Sequence, residues 1–255
     1  MDAASCLGLA AGSTKPADLI CPKHGEYKGW TMIIMGQLIE SECDECAKED
    51  SKKKIQEITM AAAVNQHREL FNRSCIPPRF TNNSIKGWQV RCKLAEEIRN
   101  EMARFINNFD KAKQDGTSFL FIGETGVGKT HMATAVANNL MMKGYSAMYI
   151  SSLNFISRMK RAWTASAVES EDEIIEAFMP FDLLVIDELG KGTLDPKERG
   201  MIFRLIDRRH EENKPIIGIS RYPEKKLGDL IEPDTIRRLK SGGGRTINFD
   251  WPAYE

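Results

Sequence analysis

One stretch of the chain has the residue types and the spacing of a loop that holds a phosphate chain. Residues 123–130 fit the pattern G-x-x-x-x-G-K-[ST] in full and follow the apolar run 119–122. Glycines let backbone N–H groups turn inward around a β-phosphate, and the start of a helix adds partial positive charge. We expect Lys129 to neutralise β- and γ-phosphate oxygens and the Thr130 hydroxyl to ligate Mg²⁺. The expected nucleotide-binding residues are Gly123, Glu124, Thr125, Gly126, Val127, Gly128, Lys129 and Thr130.

The second half of an ATP site is predicted at residues 181–188, where a continuous apolar run ends in two carboxylates. Such a run is typical of a buried strand, and open α/β sheets bind ligands at the carboxyl ends of their strands. We expect Asp187 to hold the Mg²⁺ shell and Glu188 to orient or deprotonate the attacking water. Alone, a buried strand followed by surface acids is common; together with an upstream phosphate loop the pair indicates an ATPase.

Two further positions are candidates with open alternatives. Ser220 follows the apolar run 216–219 and either contacts the γ-phosphate or the attacking water, or is a turn residue at a strand end. Arg237 and Arg238 follow the helix-start signal Pro233-Asp234. One of them, Arg238 by its spacing, is a candidate for stabilising transition-state charge at a neighbouring subunit's ATP. The alternative is a solvated basic face. The predicted catalytic residues are thus Glu188, Lys129 and Arg238.

Near the start of the chain, four residues have the spacing of a metal site. Cys21 and His24 are separated by two residues, as are Cys43 and Cys46, and each pair can wrap one tetrahedral ion. Thiolates with an imidazole select Zn²⁺. The segment is too small to fold on apolar burial alone, so zinc would be its main core. The alternative is surface thiols beside an unrelated histidine.

The elements that position these residues alternate between strand and helix, which implies a parallel sheet covered on both faces. We expect a flexible tail at 1–18, a zinc-binding module at 19–47, a helical linker at 48–87 and an ATPase domain at 88–255. Strands are predicted at 118–122, 147–150, 183–186 and 216–219. Helices are predicted at 48–74, 88–109, from the phosphate loop to 142, and at 153–163, 171–178, 197–213 and from 233.

Composition limits the possible partners. The 255 residues include 36 basic and 36 acidic side chains, so any nucleic-acid contact must come from a local patch. Arg158, Lys160 and Arg161 with Trp163 form such a patch, which suits contact with single-stranded DNA; a solvated face is the alternative. No apolar run approaches the roughly 20 residues that span a bilayer, and no secretory signal is evident. We expect a cytoplasmic protein.

Several of these segments together resemble the DnaC-type helicase loaders of bacteria and phages. The resemblance is carried by the two phosphate motifs, by residues 70–74 and 76–78, and by the ending Phe249-Asp250-Trp251 with Tyr254. It implies an α/β P-loop NTPase of the AAA+ kind, here preceded by the small zinc-binding module and the helical linker. It also implies ATP, Mg²⁺ and single-stranded DNA as ligands, a DnaB-type replicative helicase as partner, and assembly into a spiral.

The function implied by this resemblance is ATP-dependent placement of a helicase on single-stranded DNA, with slow, DNA-stimulated ATP hydrolysis. Two departures stand out: Ser220-Arg221 replaces the usual Asn or Thr sensor, and the zinc module looks like that of a phage or prophage variant. Two alternatives share the core, namely an IstB-type transposition helper and a DNA-binding adaptor whose ATP site is a slow switch. A small-molecule kinase is a poor fit because no lid or substrate pocket is evident.

Overall fold

A computed structural model describes residues 14–34, 37–164 and 167–252, with the backbone alone for residues 56–57 and 59–68. The chain divides into two compact units, Met1–Asn65 and Gln66–Glu255. Within the described residues, none of the helices has both the length and the apolar character needed to cross a membrane. Residues 1–13, the greater part of the tail predicted at 1–18, lie outside the described residues. So does Tyr254, near the other end of the chain.

The first unit contains an antiparallel three-stranded sheet followed by most of a long helix, whose last residues, from Gln66, belong to the second unit. Its strands are β1 (Lys15–Cys21), β2 (Gly25–Ile34) and β3 (Gln37–Glu40), in the order β1-β2-β3. β1 therefore begins inside the segment predicted as a tail. Gly25 has φ 82°, a left-handed conformation that suits glycine at the tight turn from β1 to β2. Helix α1 (Asp44–Arg73) starts four residues before its predicted start and ends one residue before its predicted end.

The second unit is built on a five-stranded sheet whose hydrogen-bonded pairs are all parallel. Its strand order is β5-β6-β7-β4-β8, so the strand that leads into the phosphate loop lies between β7 and β8. The strands are β4 (Phe119–Gly123), β5 (Ala147–Ser151), β6 (Leu183–Asp187), β7 (Ile216–Ser220) and β8 (Thr246–Phe249). Every residue of β6 is buried, as its apolar residues 183–186 predict, and the burial extends to the terminal Asp187.

Helices cover both faces of this sheet. Phe119 and Phe121 of β4 pack into one apolar cluster, with the helices at 93–107, 109–115 and 129–142. Leu120 and Ile122 pack into the other, with the helices at 152–161, 171–176 and 196–211. Successive side chains of a strand point to opposite faces, so one strand supplies both clusters. The helices are α2 (Lys93–Asn107), α3 (Phe109–Asp115), α4 (Lys129–Met142), α5 (Ser152–Arg161), α6 (Glu171–Glu176), α7 (Pro196–Glu211), α8 (Glu224–Ile231) and α9 (Pro233–Arg238).

The helix predicted at 88–109 was wrong in its bounds. It begins only at Lys93, because Cys92 has extended backbone and its Sγ accepts a hydrogen bond from Ala95 N, which caps the helix. The chain then breaks at Asn108 and continues as α3, which ends at the left-handed Gly116. Helix α8 and strand β8 had not been predicted.

Arg209 on α7 joins three separate parts of this unit. Its side chain is fully buried, and its guanidinium donates to the carbonyl oxygens of Phe178 (2.8 Å), Phe181 (3.1 Å) and Pro215 (2.9 Å). These carbonyls lie after α6, before β6 and before β7. One buried cation therefore satisfies backbone acceptors that would otherwise lack partners.

We predict that Arg209→Ala lowers the free energy of unfolding by about 3 kcal/mol, because it leaves buried carbonyls unpaired and a cavity. Urea denaturation of the two proteins measures the difference. The neighbouring Arg208 forms ion pairs with Glu176 and Glu212 at the surface. Arg208→Ala is the control and is expected to cost less than about 1 kcal/mol. Equal losses for the two variants would contradict the prediction.

Candidate functional site

The predicted phosphate loop lies between β4 and α4. Gly126 and Gly128 have φ values of 87° and 97°, which an L side chain rarely adopts, and Gly128 caps α4. A Cβ added to Gly123 would lie 2.5 Å from Phe249 O, so a side chain at this position would collide with β8. The loop therefore requires glycine for its backbone conformation at two positions and for its contact with β8 at a third.

Lys129 is the first residue of α4 and is almost entirely buried. Its Nζ donates to Gly123 O and Glu124 O, each at 2.7 Å. The amine at the end of the loop is thus hydrogen-bonded to the first two loop residues. Burial lowers the pKa of Lys129, while the negative charges of Asp187 and Glu124 oppose that shift. Among the described residues, the hydrogen-bond partners of this buried cation are two carbonyl oxygens, which suits it to bind the oxygens of a polyphosphate in their place.

Asp187 is the point at which three segments of the chain meet. Its Oδ2 accepts hydrogen bonds from Thr130 Oγ1 and from Tyr149 OH, both at 2.8 Å, and its Oδ1 accepts from Glu188 N at 2.7 Å. A hydroxyl and a carboxylate side by side are the oxygen ligands that Mg²⁺ takes in proteins. The geometry thus brings Thr130 and Asp187 together, as the sequence predicts for a Mg²⁺ site.

Tyr149 had not been recognised as a site residue. Its ring is partly buried against the core, and burial together with the charge of Asp187 raises its pKa, so the phenol stays protonated and donates. The sequence held one indication of a site role, because Tyr149 lies near the carboxyl end of a strand, where ligands bind in such sheets. That strand is β5, which neighbours β6. Its direction toward Asp187 depends on the pairing of β5 with β6, which the sequence alone does not show.

Glu188 follows Asp187 in a left-handed conformation, with φ 60°. Its carbonyl oxygen accepts from Ser152 Oγ at 2.8 Å, and its carboxylate forms an ion pair with Lys191 at 2.6 Å. A non-glycine residue in this region is strained and is held there by its surroundings. The carboxylate is 39% exposed, which suits a group that acts on a water molecule.

A tryptophan close to the C-terminal end of the described chain is hydrogen-bonded to the backbone of the phosphate loop. Trp251 Nε1 donates to Val127 O at 3.2 Å, and its ring lies edge-on to Trp88, with 6.5 Å between centroids. Phe249 packs against both rings. The Phe-Asp-Trp ending that carries part of the resemblance therefore has a local role, since it fixes the loop backbone at Val127.

The structure places Ser220 at the last position of β7. The residue is 1% exposed, its Oγ donates to Leu189 O at 2.8 Å, and the same oxygen accepts from Tyr222 N at 3.1 Å. This geometry matches the strand-end alternative and leaves the hydroxyl engaged with backbone groups on both sides.

The two candidate arginines differ sharply in exposure. Arg238 is 18% exposed, pairs with Asp207 and stacks over the Phe203 ring at 4.5 Å. Arg237 is 74% exposed and pairs with Asp234 at 3.3 Å. A residue that acts in a neighbouring subunit must be reachable from outside, so exposure favours Arg237 and disfavours the predicted Arg238.

The predicted basic patch on α5 is largely ion-paired within the chain. Arg158 pairs with Glu169 at 2.5 Å, and Lys160 pairs with Glu198 at 2.6 Å. Trp163 Nε1 donates to a carboxylate oxygen of Glu171. Exposed pairs of this kind contribute about 0–1 kcal/mol each, so an incoming phosphate can replace the carboxylate at little cost.

The predicted metal ligands of the first unit form one cluster. The ligand atoms of Cys21, His24, Cys43 and Cys46 all lie within 4.8 Å of one another. Cys21 Sγ is 3.6 Å from Cys46 Sγ, and His24 Nδ1 is 3.4 Å from the sulfur atoms of Cys43 and Cys46. These separations match the edges of a tetrahedron around Zn²⁺, given bonds of about 2.3 Å to sulfur and about 2.0 Å to nitrogen.

The electrostatics of the cluster also fit a cation. Backbone N–H groups of Lys23 and His24 lower the pKa of Cys21 to about 6, whereas the adjacent Cys43 and Cys21 raise the pKa of Cys46 to about 12. Three thiolates in one place repel each other, and a divalent ion would relieve that repulsion. On its outer side, His24 Nε2 lies 3.4 Å from a carboxylate oxygen of Glu49, the arrangement by which acids orient metal-binding histidines.

Comparison with known proteins places the chain in a family. A sequence profile described as "IstB-like ATP binding protein" matches residues 102–229, which include the phosphate loop and the acids Asp187 and Glu188. The chain belongs to this family. It is also similar to the replicative helicase loader DnaC of Escherichia coli (strain K12), with 29% identity over 202 residues, which are 77% of this chain and 81% of the relative. The resemblance to DnaC-type loaders is confirmed.

Solved structures confirm the predicted fold class, a P-loop NTPase sheet of the AAA+ kind. A crystal structure of the DnaC helicase loader matches with TM-score 0.59 and 19% identity, over 68% of this chain and 99% of that chain. AMPPCP-bound DnaA from Aquifex aeolicus matches with TM-score 0.56 and 20% identity, over 69% of this chain and 51% of that chain. At these identities the likeness concerns the fold.

We predict that the purified protein carries about one zinc ion per chain and that Cys43→Ser loses it, because three ligands hold zinc far less tightly than four. Metal analysis by mass spectrometry measures the content. Cys75 is exposed and lies outside the cluster. Cys75→Ser is the matched control and should keep its zinc. Wild-type protein without zinc after purification in zinc-containing medium would refute the assignment.

Proposed function

We propose that this chain is an ATP-dependent loader that binds a DnaB-type replicative helicase and helps to place it on single-stranded DNA in the cytoplasm. One observation supports an ATP site above all others: Lys129, Thr130 and Asp187 meet at the edge of the sheet, with a Thr130–Asp187 hydrogen bond of 2.8 Å. The loader role is inferred from similarity to a relative whose name is "Replicative helicase loader DnaC".

In this proposal each residue of the site has one role in ATP hydrolysis. Lys129 gives up its carbonyl partners and binds the β- and γ-phosphate oxygens, and the loop backbone surrounds the β-phosphate. Thr130 and Asp187 hold Mg²⁺, which when bound neutralises charge on the phosphates. Glu188 leaves Lys191 and accepts a proton from the attacking water. We infer that turnover is slow and rises with DNA.

Assembly into a spiral would complete the site from a second copy. Of the two candidate arginines, Arg237 is better placed to reach a neighbour's nucleotide, because it is exposed and its only ion-pair partner among the described residues is Asp234. An arginine supplied by the adjacent subunit stabilises transition-state charge on the γ-phosphate. Arg237 therefore replaces Arg238 in the proposal, and Ser220 is assigned a structural role at the end of β7.

Single-stranded DNA is proposed to contact the face of α5. Arg158, Lys160 and Arg161 lie in its last turn, beside Trp163. Within the described part of the chain, Arg161 forms no ion pair, so its charge is available to a phosphate without replacing a carboxylate. The Trp163 ring is 49% exposed and offers a face for base stacking.

The first unit is proposed to bind zinc and to contact the helicase. The zinc assignment rests on the Cys-His cluster, and the helicase contact rests on the position of this unit before the ATPase domain. A second candidate function is favoured by the family match, whose description names IstB. In that case the partner would be a transposase and the nucleic acid a duplex. A DNA-binding adaptor that hydrolyses ATP too slowly for loading remains the third possibility.

We predict that Lys129→Ala abolishes ATP binding, because it removes the charge that faces the β- and γ-phosphates. Glu188→Gln should keep ATP affinity within about twofold and slow hydrolysis by roughly 100-fold, because only the proton acceptor changes. Calorimetry with ATP and a phosphate-release assay measure the two effects. Equal ATP affinity of wild type and Lys129→Ala would disprove the assigned site.

The loader role is tested by co-purification with a DnaB-type helicase in the presence of ATP, followed by a helicase-loading assay on single-stranded DNA. We expect a stable complex for wild type and for Glu188→Gln, and none for Lys129→Ala. Duplex DNA and a transposase are the comparison arms. Binding to the transposase with no helicase complex would favour the transposition helper. If wild type and Lys129→Ala both bind DNA and neither binds the helicase or the transposase, the adaptor would be favoured.

A further inference from the structure

Tyr149 directs its hydroxyl at the acid that the proposed function assigns to Mg²⁺. The phenol donates to Asp187 Oδ2 at 2.8 Å, and the same oxygen accepts from Thr130 Oγ1 at 2.8 Å. The other oxygen of the carboxylate accepts from Glu188 N at 2.7 Å. Tyr149 therefore supplies the only side-chain donor to Asp187, among the described residues, that does not belong to the predicted phosphate motif.

The position of Tyr149 is fixed on both sides. Its strand β5 pairs with β6, where Tyr149 lies opposite Val185, two residues before Asp187. β5 is the outer strand of the sheet on that side, and Tyr149 N donates to Ser74 O at 2.7 Å. Ser74 is 1% exposed, and its own hydroxyl donates to Phe71 O. The segment at 70–74 that carries part of the family resemblance thus holds the strand that presents Tyr149.

We propose that Tyr149 is a positioning residue for magnesium binding, which fixes the rotation of the Asp187 carboxylate so that Mg²⁺ meets it together with Thr130. This inference rests on the proposed ATP·Mg²⁺ site. The physical reason is that Mg²⁺ demands nearly ideal octahedral geometry and is bound through only one or two carboxylates. A carboxylate that rotates about its Cβ–Cγ bond must be ordered when the ion binds, and hydrogen bonds from neighbouring groups remove that cost beforehand.

Each of the three donors constrains a different feature of the carboxylate. The backbone N–H of Glu188 fixes Oδ1, and Thr130 fixes the side of Oδ2 that faces the phosphate loop. Tyr149 fixes Oδ2 from the side of β5. Without the phenol, two donors remain, one of which is a hydroxyl that is itself expected to become a ligand. Tyr149 is the one donor of the three that takes no other part in the site.

The substitution Tyr149→Phe removes the hydroxyl and keeps the ring, which packs against the core. Titration of Mg²⁺ into protein with a fluorescent N-methylanthraniloyl ATP analogue gives the Mg²⁺ concentration for half-maximal tight binding. We expect this concentration to rise about tenfold in Tyr149→Phe. Analogue affinity in EDTA, where no Mg²⁺ takes part, should stay within about twofold of wild type. A general packing defect would weaken both.

Tyr145→Phe is the matched control, because Tyr145 also donates to an aspartate at 2.8 Å, Asp110 Oδ1, and is a partly buried residue that precedes β5, at the end of the strand opposite the phosphate loop. It should behave as wild type. A second test combines Tyr149→Phe with Asp187→Asn: if Tyr149 acts through Asp187, adding the tyrosine substitution to Asp187→Asn should produce no further change in Mg²⁺ dependence.

The outcomes separate this inference from the proposed function. If wild type binds the analogue with Mg²⁺ dependence and Tyr149→Phe shows the same or a lower half-maximal Mg²⁺ concentration, the positioning role is overturned and the ATP site stands. An equal loss of affinity in EDTA also overturns it, in favour of a packing role. If wild type does not bind the analogue at all, the proposed function fails and the role of Tyr149 fails with it.

Discussion

The carboxylate of Asp187 is the constraint on which the arrangement of the nucleotide site depends. It accepts hydrogen bonds from α4 through Thr130, from β5 through Tyr149 and from the backbone that leaves β6. Three donors can converge on one acid only if β4, β5 and β6 end at the same edge of the sheet. Parallel pairing brings their carboxyl ends to that edge, so the apolar interior of the sheet determines where the polar site lies.

What could be predicted from the sequence was encoded locally. The phosphate loop and the apolar run that ends in Asp187 and Glu188 are contiguous motifs. Two close pairs with metal-ligand spacing predicted a cluster in which all four ligand atoms lie within 4.8 Å. Continuous apolar runs identified the buried strands, and their alternation with helices predicted the parallel sheet. These features were found because each depends on residues a few positions apart.

What could not be predicted depends on contacts between distant segments. The direction of Tyr149 needs the register of β5 with β6, and the burial of Arg238 needs α9 to pack against α7. The structural role of the Ser220 hydroxyl depends on its hydrogen bond to Leu189, which is 31 positions away. Helix bounds failed for a different reason: at Cys92 a thiol acts as the cap, a residue type that is not among the common N-caps. Strand β8 has only four residues and little pattern to detect.

Burial differs greatly between the nucleotide site and the proposed DNA contact on α5, and this difference determines how the affinity of each for its ligand would depend on salt. Lys129 and Asp187 are at most 7% exposed, so their interactions act in a medium of low polarity and their geometry is held by the core. Arg158 and Lys160 are ion-paired at the surface, where each pair contributes little stability.

Single-stranded DNA bound at these residues would exchange one set of weak ion pairs for another. Its affinity would come chiefly from the release of counterions and from stacking on Trp163, and would fall steeply with salt. ATP bound by the buried site would depend far less on salt, because screening acts weakly on buried charges.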